Sequence, residues 1–370
     1  MRRQWRRSTT FLYCVVVSSA SAFTSLTRPP SALCAALTSS AISMAARRDT
    51  RDEGMAGTLF QYKSQLQAFE SGPAGAQRKL VVLGGLSDGM LACPYVPQLS
   101  SALAADGWSV VQPNLRSSYM QWGFGSLTED VDDLTALLDF LVSRRGAHQL
   151  AICGHSTGAQ VIAHLMRTRP HLAVSHVIMQ GGVSDRETDD ADAASKKREL
   201  LKLAQEISVS SPAGGSEMMP RNTTWAPITA QRYQDLNAFA GADDYFSSDL
   251  DDSHFRDRFG GFYTRTSALI AYSAADEYVP KSVDKGALLR RLCAAMKSPG
   301  AGESGAGGAS GGETPVVAAV LIEGADHALY SGQAADQFVS AVGAFLNGRP
   351  VPDTICWSLE NAPPPNTIVG

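Results

Sequence analysis

Three short stretches hold residue types that can move an acyl group. The first is Gly154-His155-Ser156-Thr157-Gly158, a serine between two glycines. The second, "AADEYVP" (274–280), offers the carboxylates of Asp276 and Glu277. The third, "EGADHAL" (323–329), offers the imidazole of His327. A serine hydroxyl is a weak nucleophile. It attacks a carbonyl when a histidine takes its proton and a carboxylate holds the imidazole in the right tautomer. These roles fall to Ser156, His327 and Asp276. Asp276 is preferred to Glu277 because it comes first after its strand, with Glu277 expected to point elsewhere in the turn. Asp284 lies in the next helix, and Asp326 reads as a turn residue. The oxygen of the tetrahedral intermediate needs two donors. One is the backbone N–H of Thr157. The other is expected in "LGGLSDG" (83–89), at the N–H of Leu86, with Gly85 and Ser87 as neighbouring alternatives.

Gly-x-Ser-x-Gly arises by chance, so the surrounding elements must decide. Six runs are mainly apolar and not alternating: 79–85, 108–115, 148–154, 175–182, 268–274 and 315–324. Such runs suit strands buried on both faces of a parallel sheet. Helical patterns alternate with them. "VPQLSSALAADG" ends at Gly107. "SLTEDVDDLTALLDFLVSRRG" has Ser126 and Glu129 at capping-box spacing and places Val131, Leu134, Leu138 and Leu141 on one face. "TGAQVIAHLMRTRP" follows the serine and stops before Pro170. Alternation of this kind predicts a doubly wound α/β fold. It also puts Ser156 between a strand and a helix, the setting of a nucleophile elbow. Asp276 and His327 then follow later strands in the order Ser, acid, His.

The other candidates weigh less. His155 is expected to pack or bond beneath the turn. His148, His164, His171 and His176 read as structural, and His254 as a residue that reaches substrate or none. "GGLSDG" lacks the Lys-Ser/Thr ending of a phosphate loop. The cysteines form no CxxC pair, so no metal site or disulfide framework is implied. No metal or organic cofactor is expected.

Residues 184–262 are too long for an ordinary crossover. They are helical at first, and aromatics follow: Tyr233, Phe239, Tyr245, Phe246, Phe255, Phe259, Phe262 and, just beyond, Tyr263. They read as a cap inserted over the strand ends, or as a surface excursion. The aromatics suit a pocket wall or the cap's own core. Residues 298–313 are Gly/Ser-rich and read as a flexible loop. Residues 349–370 read as an extended tail.

The motifs "LGGLSDGMLACPYV", "QPNLRSSYMQWGFGSL", "DVDDL", "GHSTG" and "GGVSDRE" together resemble the DUF1749 (UPF0613) branch of the α/β-hydrolases, fusarinine C esterase-like serine esterases. The resemblance spans about 58–348. It implies the α/β-hydrolase fold, with a mostly parallel sheet flanked by helices. It also carries the nucleophile, acid and base roles onto Ser156, Asp276 and His327. The loop 298–313, the first fifty residues and the tail depart from the pattern, and the siderophore substrate is not carried over. "NLRSSYMQWG" offers Arg116 and Tyr119 as candidate substrate contacts, alongside a structural loop role.

Charge narrows the partners. Residues 1–48 hold seven arginines and no acid. Removing these from the chain's 32 Lys and Arg leaves 25 against 36 Asp and Glu. A body that acidic is poorly suited to nucleic acid, whose binding depends on neutralised phosphates. Residues 1–50 read as a presequence. A basic start and a short apolar run, too short for a stable membrane span, end in "ASAF". A Ser-, Ala- and Arg-rich stretch follows. This two-part pattern predicts a plastid address, with secretion or the mitochondrion as alternatives. The expected activity is hydrolysis of a small-molecule carboxylic ester through an acyl-enzyme. The same residues also suit acyl transfer or thioester cleavage, and a non-catalytic binding protein is the rival from another class. The oligomeric state is not legible.

Overall fold

The apolar runs become the middle of one sheet. A computed structural model describes residues 54–262, 266–299 and 315–357. Its strands are β1 (Thr58–Lys63), β2 (Leu66–Ser71), β3 (Arg78–Leu83), β4 (Trp108–Pro113), β5 (Gln149–His155), β6 (Val174–Gln180), β7 (Ser267–Ser273), β8 (Val317–Ile322) and β9 (Thr354–Trp357). They lie in the order β1-β2-β4-β3-β5-β6-β7-β8-β9. Pairing is parallel from β4 through β8 and antiparallel at both margins.

Alternating side chains of each strand serve opposite faces. Val81, Leu83 and Ile152 pack with α2 (Leu127–Arg145), α3 (Thr157–Thr168) and α7 (Lys285–Met296). Leu80, Val82 and Ala151 pack with α1 (Val96–Ala104) and α8 (Gly332–Leu346). The central strands are therefore apolar on both sides, each buried Leu or Val adding about 1.5–3 kcal/mol. Ser126 caps α2, its hydroxyl accepting from the Glu129 N–H, and Gly146 closes that helix at φ 64°. The residues expected on its inner face are buried.

β3 and β5 are sequence-distant neighbours from which the chain winds in opposite directions. Their carboxyl ends form a crevice at that switch point, where open α/β sheets bind ligands. The "GGLSDG" loop leaves β3 there, and Ser156 follows β5.

Between β6 and β7 the chain runs through α4 (Ala191–Ser210), α5 (Ala230–Asn237) and α6 (Asp252–Phe259). Ala204 of α4, Tyr233 and Leu236 of α5 and Trp122 form a small separate cluster. Tyr245, Phe246, Phe255, Phe259 and Phe262 join the main core beside α3. These five aromatics are thus anchors of the insert, not a pocket wall. Phe239 is exposed, edge-on to His254 and with the Arg186 guanidinium over its ring.

Sequence reading passed over β1, β2 and β9. The first two form an edge hairpin whose strands mix polar and apolar residues. Its tip has Gln65 at φ 63° in place of the Asn-Gly that announces such turns. β9 pairs with β8, so the tail expected from residue 349 begins as an edge strand. Residues 1–50, expected as a presequence, and residues 300–313 of the Gly/Ser-rich loop lie outside the described residues. Cys293 is disulfide-bonded, which the cysteine spacing does not announce. Among the described residues no helix is long and apolar enough to cross a membrane.

Candidate active site

Ser156 sits between β5 and α3 at φ 52° and ψ −119°. A non-glycine residue held there costs about 1–3 kcal/mol, and the packing around it supports the strain. Gly154 and Gly158 touch across the turn: a Cβ on Gly154 would lie 2.2 Å from the Gly158 carbonyl oxygen. The turn therefore closes tightly enough to lift the serine from the sheet. α3 starts at Thr157 and points its positive end at the site.

Asp276 and His327 come from the loops after β7 and β8. Both are buried, and Asp276 Oδ2 lies 2.8 Å from His327 Nδ1. The Asp276 Oδ1 accepts from the Tyr278 N–H at 3.0 Å, which fixes the carboxylate. Glu277 does not point away: its Oε2 accepts the His327 backbone N–H at 2.9 Å. The two adjacent carboxylates thus hold ring and backbone of one histidine. The Tyr278 ring lies edge-on to the imidazole at 4.7 Å. Asp326 accepts from the Tyr330 N–H and Asp284 caps α7, as turn and helix residues.

Sequence reasoning missed Gln180, the last residue of β6. Its backbone oxygen accepts the Ser156 N–H at 2.9 Å. Its Nε2 donates to the His327 carbonyl at 2.9 Å, and its Oε1 lies 2.6 Å from His155 Nδ1. One fully buried glutamine therefore ties the serine's turn to the histidine's loop. The only signal was a polar residue ending an apolar run. His155 lies beneath the turn, its ring 4.8 Å from that of His327. Burial first, and then the neighbouring His327, push its imidazole down to about 4, so it stays neutral. Among the described residues the Ser156 hydroxyl makes no hydrogen bond, to His327 or otherwise.

The loop after β3 lies against the serine: a Cβ on Gly85 would fall 2.9 Å from Ser156 Cβ. The Gly85 N–H donates to Asp88 Oδ2 at 2.8 Å and is engaged. The N–H groups of Leu86 and Thr157 have no acceptor among the described residues. Both residues line a pocket that continues past Ser117, Trp122, Asp130 and Arg232.

Arg116 is not among the lining residues. Its guanidinium grips Asp133 through Nε at 2.9 Å and Nη2 at 2.7 Å, and reaches Glu129 at 3.1 Å. It pins the loop after β4 to α2. Tyr119 is not among the lining residues either; it is half-exposed, with its ring over Gly89, which does line the pocket. Of the other histidines, His164 pairs with Tyr245, His171 with Asp139 and His176 with Ser175, and the His254 backbone N–H donates to Asp251 Oδ1 at 2.9 Å. Asp88, Cys93 and His155 each bring one ligating atom within 4.8 Å of the others. Burial pushes the Cys93 thiol up to about 12, so it stays protonated.

A strained serine after a parallel strand, with an aspartate–histidine pair on later strand ends, sits on the fold of the α/β hydrolases. The structural relatives agree. The siderophore hydrolase EstB from Aspergillus fumigatus superposes with a TM-score of 0.63 at 26% identity, covering 80% of this chain and 98% of that one. An α/β hydrolase fold protein of unknown function gives 0.56 at 19%, over 80% and 97%. Within that class the chain belongs to the family described as "Protein of unknown function (DUF1749)", whose profile matches residues 44–347. A UPF0613 protein of Schizosaccharomyces pombe is 33% identical over 262 residues, 64% of this chain and 82% of its own. The fusarinine C esterase sidJ of Aspergillus fumigatus is 28% identical over 291 residues, with the same coverages.

Proposed function

We propose that this carboxylic ester hydrolase acts on a small-molecule ester through an acyl-enzyme formed on Ser156. The observation that carries the reading is the buried Asp276–His327 hydrogen bond of 2.8 Å beside the strained turn of Ser156. With Nδ1–H donating to Asp276, the lone pair of the imidazole is at Nε2. That nitrogen takes the proton of the Ser156 hydroxyl as its oxygen attacks the ester carbonyl. Asp276 stabilises the imidazolium. The Leu86 and Thr157 N–H groups hold the negative oxygen. The imidazolium then protonates the departing alkoxide and the alcohol leaves. In the second half-reaction His327 removes a proton from water, hydroxide adds to the acyl carbon, and the C–O bond to Ser156 breaks as the imidazolium returns that proton to Ser156 Oγ. The helical insert between β6 and β7 serves as the cap. Esterase and siderophore hydrolase relatives support ester cleavage as the reaction.

The test is labelling with a fluorophosphonate and turnover of simple aryl esters. The wild type should label once, at Ser156. Ser156→Ala should lose labelling and at least about 10⁴-fold in kcat. A folded wild-type protein whose Ser156 never labels cannot use this mechanism.

A further inference from the structure

Three consecutive residues touch His327, and two of them hold it. Asp276 Oδ2 lies 2.8 Å from the ring Nδ1, and Glu277 Oε2 accepts the His327 backbone N–H at 2.9 Å. The third, Tyr278, sets its ring edge-on to the imidazole, with the centroids 4.7 Å apart. Its own backbone N–H donates to Asp276 Oδ1 at 3.0 Å. The ring is therefore tethered to the carboxylate that orients the imidazole. Yet Tyr278 is 62% exposed. Its hydroxyl has no hydrogen-bond partner among the described residues. The His155 ring, also against His327, is buried beneath the serine's turn. Tyr278 is thus the ring that meets both the imidazole and solvent.

The place of that ring in the fold limits what it can meet. Along the sheet the order runs β3, β5, β6, β7, β8. The turn of Ser156 follows β5. The Leu86 loop after β3 lies to one side of it, and the Asp276 and His327 loops after β7 and β8 lie to the other. A tetrahedral carbon on Ser156 Oγ turns its negative oxygen toward the first side. Its departing oxygen belongs at the second, where the imidazolium gives it a proton as the C–O bond breaks. The alcohol part of the ester therefore leaves past His327, beside the exposed ring of Tyr278. Such a ring interacts best with another planar unsaturated group, by offset stacking or edge contact. A short alkyl chain makes neither contact.

We propose that Tyr278 is a specificity-determining residue that selects the alcohol part of the ester, favouring an aromatic alcohol over a short aliphatic one. The ring alone acts, and Tyr278 exchanges no proton in the step. The inference rests on the Ser156–His327 reading, which puts the departing oxygen at the imidazole.

The experiment measures kcat/KM for the benzyl and ethyl esters of one acid on the full chain. The acid is the straight-chain one whose nitrophenyl ester the wild type cleaves fastest. The readout is the benzyl-to-ethyl ratio in the wild type, Tyr278→Ala and Tyr278→Phe. Intrinsic reactivity of the two esters cancels between proteins, and a misplaced His327 slows both esters alike. The ratio should be about 3- to 10-fold higher in the wild type than in Tyr278→Ala, the contribution of one aromatic pair. Tyr278→Phe should keep the wild-type ratio. An unchanged ratio in Tyr278→Ala, or an equal loss in Tyr278→Phe, overturns the proposal. Hydroxide hydrolysis of the same two esters gives a reference that needs no variant to fold. A wild-type ratio no higher than that reference overturns the proposal as well. Fluorophosphonate labelling separates the two readings. Labelling at Ser156 with an unchanged ratio sinks the role of Tyr278 alone. No labelling, with a ratio that falls in Tyr278→Ala, sinks the acyl-enzyme alone.

Discussion

Gln180 has three jobs at one position. Its backbone holds the Ser156 turn, and its amide holds the His327 carbonyl and the His155 ring. None of these contacts touches a reacting atom, so Gln180 is a positioning residue. Gln180→Leu keeps the backbone bond and removes both side-chain bonds. If His327 is the base proposed above, loss of its orientation slows chemistry more than binding. We expect kcat to fall about 10- to 100-fold with KM changed less than about threefold, while fluorophosphonate labelling slows in step with kcat. An unchanged kcat would show that Gln180 only fills space. Residue types and order pointed to Ser156, Asp276 and His327, because their chemistry is rare and each follows a strand. Gln180 and Glu277 act through bonds 24 to 147 positions apart in number. Such bonds leave no period or motif in the chain.

At the scale of elements, the insert is fastened by backbone to the segment that carries Trp122, one wall of the pocket beside Leu86 and Thr157. The short 3₁₀ helix Tyr119–Gly123 carries Trp122, and the Thr229 N–H at the start of α5 donates to the Gly123 carbonyl at 2.9 Å. A Cβ on Gly123 would sit 2.0 Å from the Pro227 carbonyl oxygen. Backbone cannot yield cheaply, so Gly123→Ala must push the two segments apart. The expected outcome is a fall in Tm of several degrees and a several-fold rise in KM, with fluorophosphonate labelling of Ser156 retained. Unchanged KM would mean that the segment does not shape the pocket. α3 fastens the same insert from below, where Gln160 Nε2 donates to Asp185 at 2.8 Å and to the Asp243 carbonyl at 3.0 Å. The aromatics of 245–262 looked equally suited to a pocket wall or a cap core. Their composition is the same in either place, so only packing against α3 separates the two.

For the whole molecule, buried ionisable groups set how stability responds to acid. Burial pushes His176 down to about 4, where its ring stacks edge-on with Phe345. In the unfolded chain a histidine titrates near 6.5. Between those values the unfolded chain binds the proton and the folded one does not. The His176 contribution is therefore complete above about pH 6.5 and is lost as pH falls toward 4. His155 acts in the same direction. Asp130 and Asp185, pushed up to about 7 and about 6 chiefly by burial, act in the opposite one. His176→Gln removes one proton site and leaves the rest. Urea unfolding at pH 7 and pH 4.5 should show the variant gaining on the wild type by on the order of 2 kcal/mol at the lower pH. A constant difference between the two proteins would mean that His176 titrates normally in the fold.

The sequence by itself determined the parallel core, the tight turn at Ser156 and the places of Asp276 and His327 after later strands. Strands buried on both faces must be apolar throughout, and a tight strand-to-helix turn requires small residues at fixed offsets. Tertiary structure alone decided which groups meet. It joined Asp276 to His327, engaged Gly85 so that Leu86 is left with its N–H unmatched, and withdrew Arg116 to Asp133. It also closed Trp122 and Asp130 around one pocket. Contacts of that kind depend on how the β4 loop and the insert fold over the sheet, and no spacing along the chain encodes the result.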